Sequence, residues 1–313
     1  LFIIFKLPIK NDLSPDKILG EYMIPSIFQS FTQLSLKTKS INLGQGFPNW
    51  PIPDFFLSSL NNVVDNNIYS TNYSFGCANL LDALATEYSP IFNQNLDPMK
   101  NFAVSTGGAA IISQLCSSLS PEDEVVVIEP YFSFYEPMLR FFRVKLRFVQ
   151  LVQDDSGAFC LDRKQILETV NQKTKWMFLN SPHNPTGKVI NHEEIAFLGE
   201  LAEQHPQLKF MSDEVYENIV FEEKSLPRVA NYKNLFERTI NVFSGGKTYS
   251  CTGWRIGWAV GPEKLIDDLK RVQTTTNASP SSLIQEAIAM AIPKGHLPYK
   301  GYSSFYEQLL ASF

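Results

Sequence analysis

Residues 244–257, which read SGGKTYSCTGWRIG, connect two short apolar runs. The run before them is TINVF at 239–243, and the run after them is IGWAV at 256–260. Both runs have the length and composition of buried strands. The sequence therefore predicts that Lys247 lies in a tight loop between two strands, among residues too small to cover it, and faces a cavity.

The chemistry of this stretch follows from two cations, because Arg255 stands eight residues after Lys247. A lysine amine that is removed from water beside another cation has a lowered pKa and becomes a nucleophile toward carbonyl groups. A guanidinium also holds an anionic group. The pattern favours a lysine that forms a Schiff base next to a phosphate site.

The pattern SGGKTxxxTGWRxG resembles the cofactor-lysine segment of the fold-type I pyridoxal-phosphate aminotransferases. It is most similar to the kynurenine/glutamine transaminase and methionine aminotransferase branch. The resemblance implies pyridoxal 5'-phosphate as cofactor and an α/β fold with a mostly parallel, seven-stranded-type sheet flanked by helices, as in aspartate aminotransferase. It also implies an N-terminal arm with part of a small domain at 1–50, a large cofactor-binding domain at 51–293, and the start of an incomplete small domain at 294–313.

The composition excludes several other classes of protein. The chain has 313 residues, is 44% hydrophobic and carries a formal net charge of -5 with scattered signs, so we expect no nucleic-acid partner and no membrane surface. Its apolar runs, including LFIIF at 1–5, are shorter than the roughly 18 residues of a membrane span. The four cysteines are far apart, which predicts neither a metal site nor a disulfide framework, and favours a cytoplasmic or mitochondrial setting.

A glycine pair follows a predicted strand at 102–105 and opens a predicted helix. Glycines at such a turn let backbone N–H groups approach an anion, and the helix dipole favours negative charge there. A Gly-Gly pair alone is weak evidence, since many such turns bind nothing. The resemblance implies that the amides of Gly108 and Ala109 bind the cofactor phosphate together with Ser244 and Arg255.

Asp213 ends the apolar run LKFMSD. Burying a carboxylate there is costly unless it is paired, and a protonated pyridine nitrogen is a suitable partner. The ion pair keeps the ring cationic, as the electron sink of this chemistry requires. Tyr216, three residues later, is expected to reach the adjacent phenolic oxygen. An unrelated salt bridge for Asp213 is the alternative.

Three further residues take roles from the resemblance. Asn184 lies in the turn sequence SPHNPTGK and is expected to donate to the phenolic oxygen and to contact the substrate carboxylate. Phe132 follows the strand at 124–128 and is expected to stack on the pyridine ring, with core packing as the alternative. Gly46, in INLGQGFP, is expected to place its backbone against the substrate carboxylate, with a plain loop as the alternative. His183 is left without a role.

A homodimer with its active site at the subunit boundary is also implied by the resemblance. Similar proteins extend a tyrosine across that boundary to the cofactor phosphate. The local spacing departs from the family pattern, so either Tyr69 or Tyr73 fits, and packing within the chain is an alternative for both.

The predicted site residues share one position in the fold. Lys247, Asp213, Asn184, Phe132 and the Gly107-Gly108 turn each come just after a predicted strand. Ligands of open α/β sheets bind at the carboxyl ends of strands, so one crevice is expected to hold all of them. No G-x-G-x-x-G opens a βαβ unit in the sequence, which argues against a nicotinamide cofactor.

The reaction implied is transamination between a 2-oxo acid and an amino acid of the kynurenine, glutamine, methionine or aromatic class. Two alternatives stay open: β-elimination from cysteine conjugates at the same site, and a short relative that binds cofactor without turnover. Similar proteins place the arginine that binds the substrate carboxylate in a C-terminal segment, whereas the last of the eight arginines here is Arg271. The alternative to a short relative is a fragment of a normal enzyme.

Overall fold

A computed structural model describes residues 27–42, 44–46, 50–71, 73–221, 226–276 and 279–312. Most of the predicted N-terminal arm, and residues 43 and 47–48 of the glycine-rich turn, lie outside these ranges. The strands are β1 (Phe102–Ser105), β2 (Glu124–Glu129), β3 (Lys145–Gln153), β4 (Phe159–Leu161), β5 (Thr174–Asn180), β6 (Lys209–Asp213), β7 (Thr239–Ser244) and β8 (Gly257–Val260).

These strands form one sheet in the order β1-β8-β7-β6-β5-β2-β3-β4. Strand β2 is parallel to β3 and β5, and β6 is parallel to β5 and β7. Strand β8 runs against both β1 and β7, and β4 runs against β3. The mostly parallel sheet predicted from the sequence is confirmed, and β4 adds an eighth strand at one edge.

The helices of the described residues are α1 (Ile27–Thr38), α2 (Asp54–Asp65), α3 (Ala78–Phe92), α4 (Gly108–Ser117), α5 (Tyr135–Phe141), α6 (Arg163–Thr169), α7 (His192–Gln204), α8 (Gly245–Thr248), α9 (Glu263–Thr276), α10 (Ser282–Gly295) and α11 (Phe305–Ala311). None of them has both the length and the apolar character that crossing a membrane requires. Their starts follow side-chain chemistry: Asp162 caps α6, and Asn191 with Glu194 forms a capping box on α7. Such caps contribute about 1 kcal/mol each.

Helices cover both faces of the sheet, as β7 illustrates. Phe243 belongs to a core cluster with residues of α2, α3 and α10, whereas its neighbour Val242 packs in a second cluster with residues of α4 and α9. Because successive side chains of a strand point to opposite faces, burial on both sides requires an unbroken apolar run. The run TINVF meets this requirement, and its strand was predicted correctly.

The last described helix packs beside the lysine segment. Phe305 of α11 stacks on Tyr249, with ring centroids 5.9 Å apart and planes 17° apart. Tyr249 lies two residues after Lys247 and is 1% exposed. Helix α11 therefore packs against the segment that carries Lys247.

Candidate active site

The carboxyl ends of three neighbouring parallel strands carry polar residues. Asn180 ends β5, Asp213 ends β6 and Ser244 ends β7. Asn180 and Asp213 are paired directly in the sheet register. Lys247 follows in α8, a single helical turn between β7 and β8 where the sequence predicted a loop. A backbone hydrogen bond of 2.9 Å from Tyr249 N–H to the Gly245 carbonyl closes that turn.

Lys247 is half-buried and lies close enough to Asp213 for the two charges to interact. Its Nζ donates a hydrogen bond to the Gly46 carbonyl and lies 5.4 Å from the centroid of the Tyr216 ring. Burial lowers the pKa of Lys247, Asp213 opposes this effect, and Arg255 adds to it. The lowered pKa and the contribution of Arg255 were both predicted from the sequence.

Asp213 is a buried carboxylate with neutral hydrogen-bond donors. The Tyr135 hydroxyl donates to its Oδ2 at 2.5 Å, and the Val215 N–H donates to its Oδ1 at 3.4 Å. Burial raises the pKa of Asp213 to about 6, although the bond from Tyr135 and the charge of Lys247 lower it. A carboxylate accepts about four hydrogen bonds, so Asp213 keeps capacity for a cationic partner.

Asn180 ties the Asn184 turn to the end of β6. Its side-chain oxygen accepts from the Asn184 N–H at 2.7 Å, and its amide donates to the Asp213 carbonyl at 2.9 Å. The Asn184 amide then reaches the Tyr216 hydroxyl at 3.5 Å, the outer limit of a hydrogen bond. Asn180 was not among the predicted site residues, although a polar residue at the end of an apolar strand is a signal that could have identified it.

Phe132 lies within an aromatic wall at the carboxyl end of β2. Its ring stacks on Phe134 with centroids 5.2 Å apart, and it meets Tyr135 edge-on at 5.7 Å. Phe134 stacks in turn on Phe28 of α1 at 6.0 Å. This wall joins α1 to the hydrogen-bond partner of Asp213. Tyr135 was not among the predicted site residues.

Arg255 lies against the glycine turn at the start of α4. A Cβ placed on Gly107 would stand 2.9 Å from the Arg255 Nη2, and Gly107 has a φ of 95°, a conformation that favours glycine. Helix α4 has no side-chain cap at its N-terminus. The backbone N–H groups of Gly108 and Ala109 therefore stand beside a guanidinium, and Ser244 ends the strand next to them.

The remaining predicted residues occupy other surroundings. Tyr69 is 43% exposed and donates to Asn67 at 3.0 Å. Tyr73 is half-buried against the core cluster that contains Phe56, and its carbonyl accepts from Ser279 at 2.8 Å. His183 is buried, and its Nδ1 lies 2.8 Å from the Thr186 hydroxyl.

This arrangement fits pyridoxal 5'-phosphate. The start of α4 and Arg255 offer donors for a phosphate, Asp213 offers an acceptor for a protonated ring nitrogen, and Lys247 offers an amine with a lowered pKa. Gly107 leaves room for this close approach because a Cβ there would strike the guanidinium. The fold and these side chains are those of a pyridoxal-phosphate-dependent enzyme.

Comparisons with known proteins agree with this class. The model of the family "aminotransferase class I and II" matches residues 38–301. Human kynurenine–oxoglutarate transaminase 1 is 32% identical over 289 residues, which cover 89% of this chain and 68% of that protein. Human kynurenine–oxoglutarate transaminase 3 is 34% identical over 275 residues, 85% of this chain and 60% of that protein.

Solved structures give the same result. N-succinyldiaminopimelate aminotransferase from Mycobacterium tuberculosis superposes with a TM-score of 0.86 at 30% identity, covering 94% of this chain and 74% of the other. An Escherichia coli protein with a methionine aminotransferase function superposes with a TM-score of 0.80 at 26% identity, covering 87% and 71%. The chain belongs to the class I and II aminotransferases, whose cofactor is pyridoxal 5'-phosphate and whose substrates are amino acids and 2-oxo acids.

Proposed function

We propose that this chain transfers the amino group of an amino acid of the kynurenine, glutamine, methionine or aromatic class to a 2-oxo acid, using pyridoxal 5'-phosphate. The observation that supports this most is the electrostatic interaction between Lys247 and Asp213, through which each group shifts the pKa of the other. The names of the relatives support kynurenine and methionine as donors. The aromatic wall of Phe28, Phe132 and Phe134 is suited to a flat side chain.

Lys247 and Asp213 carry the central roles. Bound pyridoxal 5'-phosphate supplies an aldehyde for amines and a cationic ring that accepts electrons. Lys247 would hold the cofactor through its Nζ, and its amine, once free, would take the proton that leaves the substrate Cα. Its lowered pKa keeps a larger share of the amine neutral for this task. The Asp213 carboxylate would accept a hydrogen bond from the protonated ring nitrogen and so keep the ring cationic.

The other residues bind and orient. Asn184 and Tyr216 donate to the phenolic oxygen, and Asn184 with the backbone of Gly46 contacts the substrate carboxylate. Phe132 stacks on the ring. The groups proposed for the phosphate are the N–H groups of Gly108 and Ala109 and the side chains of Ser244 and Arg255.

We also propose a cytoplasmic homodimer with a tyrosine, Tyr69 or Tyr73, from one subunit on the phosphate of the other. The division into an arm with part of a small domain at 1–50, a large domain at 51–293 and a small-domain start at 294–313 is part of this proposal. The exposed ring of Tyr69 supports an intermolecular role for that residue, and the core packing of Tyr73 supports an internal one.

A half-reaction assay tests the proposed function. The purified chain with bound cofactor is mixed with kynurenine, glutamine, methionine or phenylalanine, and the visible spectrum is followed before and after a 2-oxo acid is added. We expect the spectrum to change with the amino acid and to return with the 2-oxo acid, and Lys247→Ala to abolish both changes. A cofactor spectrum that responds to none of these donors would contradict the proposal. Pyruvate released from a cysteine conjugate would report β-elimination instead.

A further inference from the structure

Tyr135 holds a position that the proposed roles leave unexplained. It is the first residue of α5, is 2% exposed, and places its ring edge-on to Phe132 and to Phe178 of β5, with centroids 5.7 Å away in each case. Its ring is thus fixed on two sides by apolar neighbours. A buried phenol in such a setting is stable only if its hydroxyl is hydrogen-bonded.

The hydroxyl of Tyr135 has Asp213 Oδ2 as that partner, at 2.5 Å. Burial raises the pKa of the Tyr135 hydroxyl well above its usual value, and the charge of Asp213 raises it further, so the hydroxyl remains the donor. The bond holds one oxygen of the carboxylate and thereby fixes its rotation. The other oxygen, Oδ1, has the longer contact of 3.4 Å with the Val215 N–H.

Resting on the proposed function, we infer that Tyr135 is a positioning residue that orients the Asp213 carboxylate for the ring nitrogen of the cofactor and keeps that carboxylate ionised. A hydrogen bond to an ionised acceptor favours the ionised form. Among the residues that the structure describes, the titratable groups that face Asp213 are Tyr135 from α5, Tyr216 from the segment after β6 and Lys247 from α8. Cys116 of α4 lies near the Tyr135 hydroxyl.

The loss of this hydroxyl has a predicted sign. Burial and the bond from Tyr135 act on the pKa of Asp213 in opposite directions, and burial is the larger effect. Without the hydrogen bond from Tyr135, less remains to counteract the effect of burial on the pKa of Asp213. That pKa therefore rises above its present value of about 6. At neutral pH a smaller share of Asp213 is then ionised, and the cofactor loses part of its anchor.

Tyr135→Phe tests the inference with two readouts that do not depend on turnover. The pKa of Asp213 in the apoenzyme is measured by carboxyl-carbon NMR, with Asp213→Asn to assign the resonance. Cofactor affinity is measured by fluorescence titration across pH. We expect the pKa of Asp213 to rise, the acid limb of the affinity profile to move to higher pH, and the affinity at neutral pH to fall on the order of tenfold.

The matched control is Tyr88→Phe. Tyr88 is also 2% exposed and also donates to a buried carboxylate, Glu217, at 2.6 Å, but it lies in the cluster that contains Phe56. We expect it to leave the pKa of Asp213 and the affinity profile unchanged. If Tyr135→Phe behaves like Tyr88→Phe, the inference is wrong. A wild-type chain that binds no cofactor contradicts the proposed function instead, so the two failures are distinguishable.

A second variant, Asp213→Asn, tests the interaction between Tyr135 and Asp213 by changing the acceptor. It can be used even if Tyr135→Phe does not fold. The charge of Asp213 raises the pKa of Tyr135, so Asp213→Asn should lower the pKa of that hydroxyl. NMR of tyrosine labelled at Cζ follows the titration of this group. An unchanged Tyr135 titration would show that the two groups are not coupled, and would overturn the inference.

Discussion

The guanidinium of Arg255 lies against the backbone of Gly107, so that a Cβ on Gly107 would stand 2.9 Å from Nη2. The contact joins the segment after Lys247 to the start of α4. Gly107 has a φ of 95° and a ψ of 164°, a conformation that is almost restricted to glycine. Both the backbone conformation at position 107 and the nearby guanidinium of Arg255 therefore require a glycine at this position.

Gly107→Ala is expected to lower the free energy of unfolding by about 1–3 kcal/mol because of backbone strain, and also to weaken cofactor binding by displacing Arg255. Urea unfolding measures the first effect and cofactor titration the second. Gly157→Ala is the control, because Gly157 also has a positive φ of 84° but no atom within 4 Å of an added Cβ. If both variants bind cofactor equally well, the contact with Arg255 has no role in the phosphate site.

Lys247 should respond with opposite signs to the loss of its two charged neighbours. Asp213 raises the pKa of Lys247 and Arg255 lowers it, so Asp213→Asn should lower that pKa and Arg255→Gln should raise it. Salicylaldehyde lacks a phosphate and a ring nitrogen, so its reaction with the apoenzyme reports the amine alone. We expect the pH midpoint of imine formation to fall in the first variant and to rise in the second. Shifts of the same sign would contradict this account of the amine.

Arg228 holds the segment that follows β6. It forms buried ion pairs with Glu214 and, at 2.7 Å, with Glu217, residues that directly follow Asp213 and Tyr216 in the chain. Removing one partner of a buried pair costs about 3–5 kcal/mol because an uncompensated charge stays buried. We expect Arg228→Met to lower the free energy of unfolding by this amount in urea.

The control for Arg228 is Arg271→Met. Arg271 pairs with Asp268 at 3.6 Å, but its side chain is 79% exposed. Such surface pairs contribute about 0–1 kcal/mol. A loss at Arg228 as small as the loss at Arg271 would show that the ion pairs do not hold this segment in place.

His183 should make the protein less stable in acid. Burial lowers the pKa of His183 to about 4, whereas an unfolded histidine has a pKa of about 6.5. Between these values the unfolded chain binds more protons, so stability falls as the pH drops from about 6.5 toward 4, by up to about 3 kcal/mol. His183→Gln should remove this part of the pH dependence in urea unfolding, while His192→Gln, at an exposed position, should not. Parallel pH profiles for His183→Gln and the wild type would refute the prediction.

The strands with a clear hydrophobic pattern, and the functional residues at their ends, could be predicted from the sequence. The runs that form β2, β5, β6 and β7 are apolar and bounded by turn residues, which defines buried strands. Asp213 was identifiable because a carboxylate at the end of such a strand needs a partner. Local composition was sufficient in these places.

Contacts between distant segments could not be predicted in this way. Tyr135 meets Asp213 across 78 positions of sequence, and Lys247 meets Gly46 across 201. Nothing in the run YFSFY distinguishes the tyrosine that donates to a carboxylate from aromatic residues that fill the core. The short turn of α8 was also missed, because Gly245 and Gly246 favour a loop and the closing hydrogen bonds depend on residues further along.

The most direct test of the central claim is chemical trapping of the lysine. The cofactor-loaded protein is reduced with borohydride and digested, and the peptides are sequenced by mass spectrometry, with Lys247→Arg as the control. We predict a phosphopyridoxyl group on Lys247 and none in the control. Two other lysines, Lys188 and Lys209, are also shielded from water at least in part. The account would be contradicted if the label were found on either of them, or if the loaded wild type carried no label.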